Sequence, residues 1–214
     1  MTPSQDKLRQ QAMDTGLSLR DAPATPVELF RTWFEQAKAA GAAEPRAMAL
    51  ATVNTLGRPT ARMVVLAGFD TTGFDFATDA RSPKIQDAQR QPWVALVFYW
   101  AELQRQVRVE GRLELLDEAA ADRYFYMRAR ESQLSTWLAR QTDLIEGRDT
   151  LEESLLQRLE DYQGKPIPRP PYYLAYHVPP SMVEFWQARS DHINDRLRYT
   201  QPEPGAWQIE LLAP

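Results

Sequence analysis

From residue 47 onward the chain drops a helical hydrophobic period and takes up a strand-like one, in a run of closely spaced segments. "AMALATV" and "PTARMVVLAGFD" are joined by the turn-like "NTLG", and "FDFATD" follows "TTG". One short helical stretch, "SPKIQDAQRQ", precedes "WVALVFYW", and "QRQVRVEGRLELL" then alternates polar and apolar positions as a half-exposed strand does. β-Branched and aromatic residues dominate these segments, which suits a pleated, packed surface. Consecutive strands with few crossovers favour antiparallel pairing. The expected fold class is mainly β with flanking helices, an antiparallel sheet closed into a barrel.

The remainder fits around that sheet. Residues 1–24 read as a loosely held arm, and 25–214 as a single domain. "TPVELFRTWFEQAKAAG" is a helix with Thr25 as N-cap, Pro26 in its first turn and Gly41 as its stop. Its apolar face is Val27, Phe30, Trp33, Phe34 and Ala37. Helices are expected over "DEAAADRYFYMRAR", "SQLSTWLARQ" and "TLEESLLQRLEDYQ", then an extended proline-rich connector, "KPIPRPPYY". Strands return with "YLAYHV", "MVEFWQA", "DRLRYT" and "WQIELLA".

Composition removes several function classes. The 214 residues carry a net charge of −4 with no block of one sign, so nucleic acid is not an expected partner. With no cysteine and two histidines, disulfides, thiol nucleophiles and multi-histidine metal centres are excluded, and no metal site is expected. The longest apolar run, "WVALVFYWA", is too short to span a bilayer. The N-terminus lacks the apolar stretch of a signal peptide, so a cytoplasmic location is expected.

Polar residues in and beside the strands mark candidate sites. Arg62 opens "MVVL", Thr78 ends "FDFAT", Ser82 and Lys84 begin the short helix after it, and Gln106 sits inside "RQVRVEG". Only four lysines occur in the chain. A helix start with a lysine, an arginine and two hydroxyls suits a terminal phosphate; surface charge with ordinary capping fits the same spacing. Near the C-terminus, "EFWQARSDHINDRLRY" is too aromatic for a disordered tail. Trp186 would either lie along a planar ring or fill a core position. Arg196 would either neutralise an anion on that ring or pair with Asp195 or Glu184. Tyr124 and Arg128, four apart on one helix face, fit an anion site or an internal packing pair. His192 could exchange a proton near neutral pH or simply cap a polar cluster.

Together, "AMALATVNTLGRPTARMVVL", "SPKIQDAQRQP", "RQVRVEG", "YFYMRARESQLSTW", "VPPSMVEFWQ", "DRLRY" and the closing "LAP" resemble the pyridoxine/pyridoxamine 5'-phosphate oxidases, from about residue 17 to the C-terminus. The resemblance implies a split β-barrel homodimer with two FMN sites at the subunit interface. It assigns cofactor contacts to Arg62, Met63, Val64, Val65, Leu66, Ala77, Thr78, Ser82, Lys84, Gln106, Gln141, Thr142, Trp186 and Arg196. It assigns the substrate phosphate to Tyr124, Arg128 and Ser132. His192, Asn194 and Arg196 fall where the family places groups over the reacting substrate.

Departures cluster on the substrate side. Ala67 replaces the lysine that closes the family's "RxVLLK", and "HINDR" stands for "RLHDR", so His192 replaces an arginine and Asn194 a histidine. In the arm, a lid in the family, "RQQA" replaces "RREY", keeping Arg9 and putting Ala12 for tyrosine. Pro83 stands where a basic residue is frequent. The implied activity is oxidation of a small molecule at an amine- or hydroxyl-bearing carbon, with FMN as hydride acceptor and dioxygen as final acceptor. The departures favour a diverged substrate; the alternatives are an orthodox pyridoxamine/pyridoxine 5'-phosphate oxidase and a flavin-binding dimer without turnover.

Overall fold

The computed structural model describes residues 3–203 and 205–214, with the side chains of residues 3 and 4 left out. Residues 1 and 2 of the expected arm lie outside the described residues. The elements run α1 (Pro3–Thr15), α2 (Pro26–Ala39), β1 (Ala47–Val53), β2 (Pro59–Phe69), β3 (Phe74–Asp79), α3 (Pro83–Arg90), β4 (Trp93–Trp100), β5 (Arg105–Arg112) and β6 (Glu114–Leu115). They continue with α4 (Glu118–Tyr126), α5 (Arg130–Ser135), α6 (Arg148–Asp161), β7 (Tyr173–Val178), β8 (Pro180–Gln187), β9 (Asp195–Glu203) and β10 (Ala206–Leu212).

All described strand pairs are antiparallel, in the order β10-β9-β8-β5-β4-β1-β2-β3-β7-β6. The sheet curls into a split half-barrel around α2. Phe30 of α2 is fully buried, with ring centroids 4.8–4.9 Å from Phe69, Phe74 and Phe98. Trp33 meets Phe185 edge-on at 5.2 Å. Truncating an aromatic so enclosed costs about 3–5 kcal/mol, so α2 is the plug on which the barrel closes.

Strand alternation leaves a second face. On β4 and β5 one alternate set packs inward, while the other set is only half covered. On β2 this outer set includes Met63 and Val65, 65% and 60% exposed.

The structure corrects the sequence reading in three places. "QRQVRVEGRLELL" is two strands, because β5 pairs with β4 and β8 whereas β6 pairs with β7. The break falls just after Gly111, where an added Cβ would lie 2.3 Å from the Pro179 carbonyl oxygen. The helix expected over "SQLSTWLARQ" ends at Ser135. Beyond it the Thr136 hydroxyl accepts from Arg128 at 2.6 Å and the Trp137 indole donates to the Pro168 carbonyl at 3.0 Å, so tertiary contacts win over helix continuation. The N-terminal arm carries a helix, α1, with Ala12 buried against the core. Asp195 accepts from the Leu17 amide at 2.8 Å, and Arg189 donates to the Asp14 carbonyl at 3.1 Å. Residues 14–17 are thereby tied to the β8–β9 turn.

Candidate active site

A cavity of about 630 Å³ opens between β2, β3, the start of α3 and the α4–α5 segment. It gathers many of the residues singled out from sequence. Met63, Val64, Val65 and Leu66 form one wall, Ala77 and Thr78 another. Lys84 and Gln141 lie in its lining, as do Ala67, Tyr124, Arg128 and Ser132.

One part of the site is built for an anion. Ser82 is the N-cap of α3 but makes no side-chain cap; its hydroxyl instead accepts from the Lys84 ammonium at 2.9 Å. Gln141 Oε1 also accepts from this ammonium. Lys84 is 5% exposed, and among the described residues no carboxylate forms an ion pair with it. Burial pulls its pKa down to about 8, the Arg62 charge adds to the effect and Asp79 opposes it. A buried ammonium held only by neutral oxygens is costly unless a negative group joins it. Asp79 does not supply the charge directly, because its carboxylate is held by Arg81 at 2.7 Å.

Arg62, next to this group, faces another way. Its guanidinium donates to Thr52 Oγ1 and Thr60 Oγ1, both at 2.8 Å, and to the Leu50 carbonyl at 3.1 Å. Asp87 lies 3.9 Å off. Burial lowers the Arg62 pKa and Asp87 partly restores it. Arg62 is thus anchored beside the cavity rather than lining it.

The substrate trio shares the cavity but differs in commitment. Arg128 donates to Thr136 and lies 5.1 Å from the Tyr173 ring centroid. The half-buried Ser132 is part of the lining. Tyr124 donates its hydroxyl proton to Asp75 Oδ2 at 2.5 Å. Asp75 Oδ1 in turn meets His177 Nδ1 at 2.6 Å. Burial raises the Tyr124 pKa, and the bond to Asp75 raises it further; hydrogen bonding to Asp75 raises that of His177.

The remaining predicted residues are not brought to this cavity within one chain. Gln106, Trp186 and Arg196 pair across β5, β8 and β9, and so form one row of half-buried side chains. Trp186 is therefore not a core residue. Arg196 does take the ion pair anticipated with Glu184, at 2.9 Å, and also donates to the Ala213 carbonyl. His192 is exposed in the β8–β9 turn at φ 64°, a left-handed backbone conformation uncommon outside glycine. Asn194 Oδ1 caps that turn by accepting from the Arg189 amide at 3.1 Å. Thr142 is exposed at φ 77°, just past the cavity-lining Gln141.

Sequence reasoning missed Asp75 and His177. The signal available was a lone carboxylate between two phenylalanines in "FDFATD"; what it lacked was the β3–β7 register that sets Asp75 opposite His177.

Among solved structures the chain is similar to PhzG from Burkholderia lata, described in complex with tetrahydrophenazine-1-carboxylic acid. That likeness has a TM-score of 0.85 and 28% identity, covering 100% of this chain and 98% of that one. A pyridoxamine 5'-phosphate oxidase-related, FMN-binding protein from Nostoc punctiforme shares the fold at a TM-score of 0.75 and 23% identity, covering 90% and 100%. Fold and cavity together define a split-barrel oxidoreductase of the flavoprotein type. The family model described as "Pyridoxamine 5'-phosphate oxidase" matches residues 34–157, and "Pyridoxine 5'-phosphate oxidase C-terminal dimerisation region" matches 173–214. Proteins called pyridoxine/pyridoxamine 5'-phosphate oxidase are 44% identical in Microcystis aeruginosa, over 91% of both chains, and 41% identical in Cyanothece sp., over 100% of both. The chain belongs to the pyridoxamine 5'-phosphate oxidase family.

Proposed function

We propose that the protein is an FMN-dependent oxidase of a small amine or alcohol whose substrate differs from the phosphorylated pyridoxines named for its relatives. The observation that carries the cofactor reading is Lys84, a buried cation in the lining of a large cavity that makes no ion pair with a carboxylate among the described residues. The donor set fits FMN: Lys84 at the start of α3, held from behind by the fully buried Ser82 hydroxyl, for a terminal phosphate, and the Met63–Leu66 wall for a flat ring. When bound, FMN would accept a hydride from an amine- or hydroxyl-bearing carbon and pass the electrons to dioxygen, giving hydrogen peroxide.

The protein would supply position and charge. Met63, Val65 and the 54%-exposed Tyr99 leave apolar groups on the outer sheet face, and residues 173–214 match a dimerisation region. These features support a homodimer in which each protomer offers its Gln106–Trp186–Arg196 row to the other's cavity. Trp186 would cover the ring, and Arg196, oriented by Glu184, would hold positive charge against it. Asn194 would order the turn, and His192 at its tip would offer a polar contact to the substrate. The arm would act as a lid, since residues 14–17 are tied to that same turn.

A second reading, turnover of pyridoxamine 5'-phosphate itself, is favoured by one observation: Tyr124, Arg128 and Ser132 all line the cavity. The two are separated by anaerobic mixing of FMN-loaded protein with pyridoxamine 5'-phosphate and with unphosphorylated amines and alcohols, following loss of the flavin absorbance. Faster bleaching by an unphosphorylated compound supports the diverged reading. Fast bleaching by pyridoxamine 5'-phosphate alone refutes it.

A further inference from the structure

The Tyr124 end of the cavity has a feature that the phosphate-binding trio does not explain. A phenol carries one proton, and that of Tyr124 goes to Asp75, a carboxylate only 8% exposed. The bond is built in from several sides. Asp75 is opposite Gly68 in the β2–β3 register, and a Cβ at Gly68 would sit 2.6 Å from the Tyr124 oxygen, so glycine is what lets the ring approach. On the other flank His177 Nδ1 fixes the second carboxylate oxygen at 2.6 Å, and His177 Nε2 is 3.3 Å from the Thr72 hydroxyl, which donates to Asp70. The result is a connected chain, Tyr124–Asp75–His177–Thr72–Asp70.

This arrangement changes what Tyr124 offers a ligand. With its proton committed, the phenol oxygen can only accept; the exposed Arg123 guanidinium, outside the cavity lining, already bonds to it, and a buried carboxylate stands directly behind it. A phosphate monoester needs donors and positive charge. Ala67, where the family's lysine would stand, supplies neither; it packs with Ala77 against the Tyr124 cluster. Of the cationic groups lining the cavity, Lys84 belongs to the cofactor end and Arg46 is an exposed residue at the start of β1. That leaves Arg128, already shared with Thr136.

We infer that Asp75 is a specificity-determining residue: by holding the Tyr124 proton it turns this end of the pocket away from phosphate dianions and towards an uncharged group that donates a hydrogen bond, such as a hydroxyl or amide. His177 is a positioning residue for Asp75. The inference rests on the oxidase reading, in that the cavity beside the cofactor receives the substrate.

The test uses the FMN-loaded protein and two ligands that are not turned over, pyridoxal 5'-phosphate and pyridoxal, with affinities measured by calorimetry. Asp75→Val keeps a β-branched residue in the strand and removes the acceptor. It is expected to raise affinity for pyridoxal 5'-phosphate about tenfold, the effect of one recovered charge-assisted bond, and to leave pyridoxal nearly unchanged. Tyr124→Phe alone should barely alter pyridoxal 5'-phosphate binding, yet it should abolish the gain in the Asp75→Val background. Asp75→Asn, which removes the charge at nearly constant shape, should shift affinity the same way by less, and serves if the valine variant does not fold. A tenfold loss on Tyr124→Phe alone would overturn the inference, since it would mean that the hydroxyl already serves the phosphate. So would folded Asp75 variants with unchanged preference. A wild-type protein that takes up no FMN would instead remove the oxidase reading, and the inference with it.

Discussion

The two ends of one cavity contrast in charge. At Lys84 a buried cation has no carboxylate ion-paired to it among the described residues, and at Tyr124 a buried carboxylate has captured the only proton of a candidate ligand group. The first arrangement is incomplete until an anion arrives; the second is complete without one. A single fold can therefore retain a cofactor's phosphate site while its substrate end acquires a different preference, because the groups involved sit on different elements. Lys84 rides on α3, whereas Tyr124, Asp75 and His177 come from α4, β3 and β7.

The largest effect that would break this contrast is expected at Lys84. Lys84→Ala should weaken FMN binding by about a hundredfold, near 3 kcal/mol for a charge-assisted bond, in a fluorescence titration. Lys38→Ala should change nothing, because Lys38 is exposed and pairs with Glu35 one helical turn away. Equal losses would take Lys84 out of the site.

A smaller effect, roughly tenfold, is expected from rebuilding the other end. Ala67→Lys combined with His192→Arg and Asn194→His should raise turnover of pyridoxamine 5'-phosphate, measured as peroxide release. Vigorous wild-type turnover with no gain would erase the difference between the two ends.

The pH dependence of cofactor binding sharpens the comparison further. In the free protein burial lowers the Lys84 pKa to about 8. A bound phosphate would raise it, so FMN affinity should be level between about pH 7 and 8, where the phosphate is already a dianion, and fall above pH 8, by at most about tenfold per pH unit. A Lys84→Arg variant that still binds should lose this dependence, because a guanidinium does not titrate there. Binding that stays level to pH 9.5 in the wild type would deny Lys84 its role.

The smallest effect concerns stability at the Tyr124 end. The folded-state pKa of His177 is raised by its bond to Asp75. Its contribution should be fully present below the unfolded value of about 6.5 and be lost as pH rises through the folded value. Thermal unfolding of wild type against His177→Gln should therefore differ most at acid pH. A difference that grows towards alkaline pH would mean the pair is not formed as described.

How much of this was readable beforehand divides along the same line. The strands from β1 to β5 were legible because alternation and β-branched content are local properties, and Lys84 stood out as a rare residue beside turn residues. Helix α1 was not: "PSQDKLRQQAMDT" offers few apolar positions, and its order comes from burial of Ala12 and from the ties at Leu17 and Arg189. Gly16, in the left-handed region at φ 64°, was the one local hint of a helix end. Asp75 and His177 lie 102 positions apart, and only strand register joins them. The Gln106–Trp186–Arg196 row was found residue by residue through resemblance; that it forms a single row also depends on register.

The most direct measurement is a titration of cofactor-free protein with FMN, combined with sedimentation analysis of the product. The account predicts a dimer that binds one FMN per chain and gains the flavin band at about 450 nm, with Lys84→Ala failing to saturate. A monomer that remains colourless and leaves FMN fluorescence unchanged would contradict it.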